Sequence, residues 1–244
     1  MRIPRVFIDH ALVSGRHAAL DPRAANHVTR VLRLRTGAPL TVFDGSGVEF
    51  AAVLEKVDHE TTTVRVGEPT GTGVESPLRI TLAQGISRGE RMDYTLQKAV
   101  ELGVTRFIPL WTERTQVRLD AQRLKKRLDH WQGVIISACE QCGRTRIPQL
   151  DMPMELTQWI DRTDLQGLRL VLDPNATLTV AGMDVAESGV VLLTGPEGGL
   201  SPQERDFSQQ HDFTPVRFGP RILRTETAAL AAISSLQALW GDFR

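Results

Sequence analysis

The stretch VVLLTGPEGGLSPQE, Val190–Glu204, decides how the second half of the chain is read. Its first five residues are apolar or β-branched and read as a buried strand. Ser201-Pro202-Gln203-Glu204 then matches a capping box with proline at the first helical position, so a helix starts at about Pro202. Between them lies a short loop, Thr194–Leu200, with glycines at 195, 198 and 199 that permit left-handed backbone and close approach of a ligand. A strand, a glycine loop and a capped helix in this order make a ligand loop at the carboxyl end of a strand. A phosphate cradle does not fit. A P-loop requires Lys-Ser/Thr after the last glycine, a dinucleotide fingerprint requires G-x-G-x-x-G, and Glu197 would repel a phosphate. A carboxylate there suits hydroxyls, amino groups or a cation. A ligand-free strand–helix turn is the plain structural alternative.

A second copy of the design follows in VRFGPRILRTETAALAAISSLQ, residues 216–237. Gly219-Pro220 turns the chain, and Arg221 and Arg224 stand near a helix start, where the helix dipole favours anions over cations. An external anion or Glu226 explains them better than stability does. The alanines of this helix suit close packing as well as plain helix propensity.

Upstream, LRITLAQ and RFIPLW read as strands, ERMDYTLQKAVELG as a helix ended by Gly103, and DAQRLKKRLDHWQGVIISACEQCG as a long helix capped by Asp120. LRLVLD and TPVRFG are further strands. Strands alternating with helices predict an α/β domain with a mostly parallel sheet. The first seventy residues differ. RVFID, PLTVF, VEFAAVLEKV and TTTVRV are strands, the middle two joined through Asp44-Gly45-Ser46-Gly47, and DPRAANHVTRVLRL is a helix with Asp21 as N-cap. Short strands with tight turns suggest a small barrel. Gly67–Pro77 is rich in Gly, Pro, Ser and Thr. The expected division is 1–70, a linker at 71–77, and 78–244.

The 244 residues carry 29 basic and 29 acidic side chains, which excludes a chain that coats nucleic acid indiscriminately. Basic residues nevertheless cluster, from Arg16 to Arg35 and from Arg79 to Arg127, as a specific polyanion contact or a solvated helix face would have them. No apolar run is long enough to span a bilayer, the first residues lack the apolar core of a secretory signal, and a cytoplasmic protein is expected. Cys139 and Cys142 have C-x-x-C spacing but fall at a helix C-terminal end, not the N-terminal end that stabilises a thiolate, and they read as inert. Histidines at 10, 17, 27, 59, 130 and 211 form no cluster of metal-ligand spacing, so no metal is expected.

LLTGPEGGLSPQE followed by FGPRILRTETAALAAIS resembles the SPOUT superfamily of RNA methyltransferases. With SRGERMDYTLQKAVELGV (87–104), ACEQCGRTRIP (138–148) and NHVTRVLRLRTGAPLTVFDG (26–45), it resembles more closely the bacterial family that methylates N3 of a uridine in small-subunit (16S) ribosomal RNA. The resemblance implies S-adenosylmethionine as cofactor, a C-terminal trefoil knot, a PUA-like first domain that binds RNA, and a homodimer that completes the site. By motif match, the cofactor residues are Leu172, Thr194, Gly195, Glu197, Gly199, Phe218, Gly219, Ile222 and Leu223. Arg224 is expected to stabilise a uracil anion or hold a phosphate. Glu226 and Glu140 are base candidates, each with a bland alternative: a favourable helix-start acid for Glu226 and an i,i+4 pair with Arg144 for Glu140. His27, Arg30 and Arg33, at three-residue steps on the first helix, are expected to meet RNA, as are Arg88, Arg91 and Arg144. The partner implied is 16S rRNA, within the small ribosomal subunit. Two rival readings share these residues: a related enzyme acting on a ribose hydroxyl or a tRNA base, and a non-catalytic RNA-binding assembly factor.

Overall fold

The computed structural model describes residues 3–58, 61–116, 120–161, 165–185 and 188–243, which divide into two compact units. The first unit is Met1–Glu75 together with Ile136–Ile147; the second is Ser76–Ile135 with Pro148–Arg244.

In the first unit, strands β1 (Arg5–Phe7), β2 (His17–Ala19), β3 (Pro39–Phe43), β4 (Val48–Val57) and β5 (Thr62–Thr72) form one mixed sheet in the order β1-β3-β4-β5-β2. Only the β1–β3 pairing is parallel. The β3–β4 turn forms where the Asp-Gly-Ser-Gly signal lies. Asp44 accepts from the Ser46 N–H at 3.0 Å and from the Leu12 N–H at 2.9 Å. Burial disfavours its charge, but the hydrogen bonds from Ser46 and Leu12 outweigh that and hold its carboxyl below the usual range. Val6, Leu40, Val42, Leu54, Val64 and Val66 alternate inward along their strands and form the core with Ala24 and Val28. The expected linker is shorter than its composition suggests: β5 runs on to Thr72 because Gly71 and Thr72 pair with Glu49 and Val48.

The helix predicted over residues 21–34 breaks in two. Helix α1 covers Pro22–Asn26, and Asp21 caps it through the N–H groups of Arg23 and Ala24. A π-helical turn, His27–Val31, follows, closed by the Leu32 N–H to the His27 carbonyl at 2.9 Å. Arg33 then takes a left-handed φ of 53°. His27, Arg30 and Arg33 therefore do not stand on one face of a regular helix; Arg30 and Arg33 are exposed and His27 is half-buried.

The second unit is an α/β layer structure. Its seven strands are β6 (Ile80–Gly85), β7 (Arg106–Trp111), β8 (Gln149–Leu150), β9 (Met154–Glu155), β10 (Leu168–Leu172), β11 (Val190–Thr194) and β12 (Thr214–Val216), and every pairing among them is parallel. The order is β12-β10-β11-β6-β7-β8, with β9 also on β7. β11 thus lies between β10 and β6, and the strand order reverses there, which is where parallel sheets leave a crevice beyond their carboxyl ends. Helices α2 (Glu90–Glu101), α3 (Ala121–Cys142), α4 (Leu156–Ile160), α5 (Pro202–Gln210) and α6 (Thr225–Trp240) complete the order. One core joins Ala83, Ile108, Val171, Val191 and Leu193 to Leu156 and Trp159 of α4, whose indole packs on Phe213 at 5.7 Å between ring centroids. Asp120 caps α3 as read from the sequence, accepting from the Arg123 N–H at 2.8 Å. Among the described residues no helix is long and apolar enough to cross a membrane.

Candidate functional site

β11 is buried along its whole length, and the chain turns as soon as it ends. The Gly199 N–H returns to the Pro196 carbonyl at 2.9 Å, and Ser201 and Glu204 form the reciprocal capping box that starts α5. The loop is fixed from several sides. Glu204, buried, uses its second oxygen to accept from the Glu113 N–H at 2.8 Å, and Arg114 donates to the Gly198 carbonyl at 2.8 Å. Arg205 donates to the Leu200 carbonyl at 3.1 Å and pairs with Asp173, just past β10, at 3.4 Å. Gly195 admits no side chain, because a Cβ there would lie 2.7 Å from the backbone of Gly199 and of Leu200. Gly85, at the end of β6, is similarly confined: its Cβ would lie 2.6 Å from the Pro196 nitrogen.

Beneath the loop sits Gln84, 1 % exposed. Its amide nitrogen lies 3.1 Å from the Gly195 carbonyl, 3.1 Å from the Thr225 hydroxyl and 2.9 Å from the Gly85 carbonyl. The Thr225 hydroxyl itself donates to the Gly195 carbonyl at 2.7 Å. One buried network therefore joins the ends of β6 and β11 to the first residue of α6.

The loops after β10, β11 and β12 enclose a cavity of about 570 Å³. All nine residues expected at the cofactor line it, as do Arg224, Glu226 and Arg91. Glu197 is committed within the protein. It accepts from the Arg88 N–H at 2.8 Å and pairs with Arg91 at 2.9 Å, which places an anion near the start of α2. Burial works against its charge, yet these bonds prevail and hold its carboxyl below the usual carboxylate range. Glu226 is the opposite case: its Oε2 is buried and has no partner among the described residues.

Two expected site residues are spent on the first unit instead. Glu140 accepts from the Phe7 N–H at 3.1 Å and from the Arg23 guanidinium at 3.1 Å, and it does not line the cavity. Arg144 is 3 % exposed and pairs with Glu75 at 2.8 Å, not with Glu140 one turn back, so its guanidinium is not presented to RNA. Arg88 is exposed and contributes its backbone N–H. Cys139 is buried and its thiol pushed up to about 12 by that burial, with the nearby Arg144 charge only partly opposing it, an inert state for a thiol. Among the described residues no group of His, Cys, Asp and Glu is placed to hold a metal; His59 lies outside them. Gln84, Arg114 and Arg205 also shape the site, through contacts with residues remote in sequence or with backbone carbonyls, which no local motif marks. Gln84 did carry a signal, a lone amide closing the apolar run ITLA.

A sheet of parallel strands with three loops closing over a cavity at its order reversal defines a ligand-binding α/β protein. Residues 74–237 match the family described as RNA methyltransferase domain, and residues 20–67 the one described as RNA methyltransferase PUA domain. The chain belongs to the ribosomal RNA small subunit methyltransferase E family. It is 35% identical over 241 residues to the protein of that name from Buchnera aphidicola (subsp. Schizaphis graminum), covering 99% of this chain and 98% of the relative. The crystal structure of a Neisseria gonorrhoeae ribosomal RNA small subunit methyltransferase E bound to S-adenosyl methionine aligns with a TM-score of 0.94 at 39% identity, over 100% of both chains. A Legionella pneumophila methyltransferase in complex with the cofactor SAM aligns with a TM-score of 0.95 at 42% identity, again over both whole chains.

Proposed function

We propose that this chain methylates N3 of a uridine in 16S rRNA, using S-adenosylmethionine bound in the cavity of the second unit. The observation that carries the reading is the unpartnered Glu226 Oε2 in a cavity shaped by the confined glycine at 195. The cavity has the volume of a small-molecule site, and the glycine-loop backbone and the carboxylates of Asp173, Glu197 and Glu226 line it together with six arginines, three of them already engaged within the protein. S-adenosylmethionine supplies an electrophilic methyl group when bound. The chain's own residues do the rest. The uracil N3 must lose its proton before its lone pair can attack, and Glu226 Oε2 accepts that proton. Arg224, exposed at the start of α6 and without a partner among the described residues, stabilises the anion left on the base. The Gln84–Thr225–Gly195 network fixes Glu226 relative to the loop, so alignment is set before the substrate arrives. N3 lies on the pairing edge, so the target base is presented unpaired.

The reading extends to a PUA-like first domain that recruits RNA through exposed Arg30 and Arg33 and whose last strand ends at Thr72, to a short linker over 73–77, and to a catalytic domain over 78–244 with a trefoil knot. It also includes a homodimer in the cytoplasm that completes the site. Ile222, 88 % exposed on a cavity loop, supports the dimer as a side chain that a second copy would cover. The deciding experiment is transfer of a labelled methyl group to small ribosomal subunits lacking the modification, followed by identification of the product nucleoside. The expected product is 3-methyluridine. A ribose-methylated nucleoside, or transfer to added tRNA and not to the subunits, would establish the related-enzyme reading, and absence of both transfer and cofactor binding would establish the assembly-factor reading.

A further inference from the structure

Six arginines line the cavity against three acids, Asp173, Glu197 and Glu226. Three of the six are engaged: Arg91 with Glu197, Arg114 with the Gly198 carbonyl, and Arg205 with Asp173. The other three, Arg217, Arg221 and Arg224, all come from the segment between β12 and α6. Each is exposed, and none has a side-chain partner among the described residues. Their charges are not balanced locally. Two of the three acids are already paired, and the amino end of α6 adds partial positive charge beside Arg221 and Arg224.

The proposed cofactor makes this imbalance worse. S-adenosylmethionine carries a sulfonium and an ammonium against one carboxylate and is a net cation. A cation entering a site with unpaired guanidiniums is repelled, and its single carboxylate engages one guanidinium at best. The site is therefore complete only when a second, anionic ligand occupies its mouth. Guanidiniums are suited to phosphate oxygens, and contacts of this kind position a strand without reading its sequence.

We infer that Arg217 and Arg221 hold backbone phosphates of the single-stranded RNA next to the target nucleotide, so that RNA and cofactor each strengthen the binding of the other. This rests on the function proposed above. The coupling is reciprocal by linkage: whatever factor RNA adds to cofactor affinity, the cofactor adds to RNA affinity. The sign for the isolated cofactor is the reverse of that for an ordinary binding residue. Removing two unpaired positive charges leaves the affinity for a net cation unchanged or raises it.

The test uses calorimetry and salt titration on the full chain and on a double variant, Arg217→Gln with Arg221→Gln. The ligands are S-adenosylmethionine and a single-stranded RNA oligomer carrying the target uridine. In the unaltered chain the oligomer is expected to tighten cofactor binding about fivefold. The double variant is expected to bind the cofactor alone at least as well and the oligomer roughly tenfold more weakly at low salt. Its salt slope falls by about 1.4, for two phosphate contacts at about 0.7 each on a single strand. An Arg217→Lys, Arg221→Lys chain keeps the charge and most of the slope, which separates charge loss from damage to the fold. If the unaltered chain binds no S-adenosylmethionine, the proposed function itself fails. If it does bind, two results overturn the present inference: an RNA affinity and slope unchanged in the double variant, or a cofactor affinity lost with the arginines, which would make them cofactor ligands.

Discussion

The hydroxyl of Thr225 donates to the carbonyl of Gly195 across 2.7 Å, joining the first residue of α6 to the first glycine of the loop, thirty positions earlier in the chain. The Gln84 amide bridges the same two groups from below. The cavity wall and the residue that follows Thr225, Glu226, are thereby held in one frame.

Replacing Thr225 by Val keeps its shape and removes the hydroxyl, leaving the Gly195 carbonyl with one fewer donor and the Gln84 amide with one fewer acceptor. Both groups keep another partner, so the cost is that of a lost hydrogen bond, about 0.5–1.5 kcal/mol. Denaturant unfolding is expected to show a loss in that range, and calorimetry a weaker affinity for S-adenosylmethionine. Thr225→Ser is expected to recover most of both.

Glu226→Gln retains size and polarity but takes up no proton. Methyl transfer to RNA is expected to fall by about 10²–10⁴-fold in turnover, the range for loss of a general base, while cofactor affinity changes little. Single-turnover assays across pH check this; a variant with full turnover at every pH would remove Glu226 from the reaction.

The Glu197 carboxyl is held below its ordinary range in the folded chain. A lowered folded pKa means that the stabilisation is present above the unfolded value, about 4.3 for glutamate, and is lost as pH falls through the folded value. Unfolding followed by denaturant from neutral pH downward is therefore expected to show a steeper loss of stability in acid for the unaltered chain than for Glu197→Gln. Equal slopes would show that the Arg88 and Arg91 contacts do not persist in solution.

Arg144→Met removes one half of a buried ion pair and leaves the Glu75 carboxylate with the Thr145 and Arg146 N–H groups but no charged partner. A cost of about 3 kcal/mol is expected, the lower end for a broken buried pair, with RNA affinity of the folded protein unchanged. A salt-dependent loss of RNA affinity at constant stability would restore Arg144 to the RNA contact.

Local signals carried most of the second unit. The apolar run at Val190–Thr194 and the capping box at Ser201 and Glu204 act within a few residues, so composition alone locates the loop. The partners of Glu140 and Arg144 are not legible in the sequence because they are remote: Arg23 lies 117 positions from Glu140, and Glu75 lies 69 from Arg144. A charged pair is invisible in sequence when only the fold brings it together. The π-helical turn at His27–Val31 and the left-handed Arg33 were hidden for a different reason: nothing in HVTRVLR distinguishes an i to i+5 bond from an ordinary helical one. Strands β8 and β9, two residues each, are too short to show any period.

The first unit borrows Ile136–Ile147 from the middle of the chain. In that segment Glu140 receives Arg23, the Cys139 carbonyl accepts from Arg5 at 2.8 Å, and Arg144 meets Glu75. During synthesis these partners emerge only after β6, α2 and β7 have been made, several seconds later at about 5–20 residues per second. The amino-terminal sheet must wait, with Arg23 and Glu75 unmatched and Arg5 held by Glu49 alone, and it matures only while its neighbour is already being built. A fragment ending at Glu75 would never reach that stage.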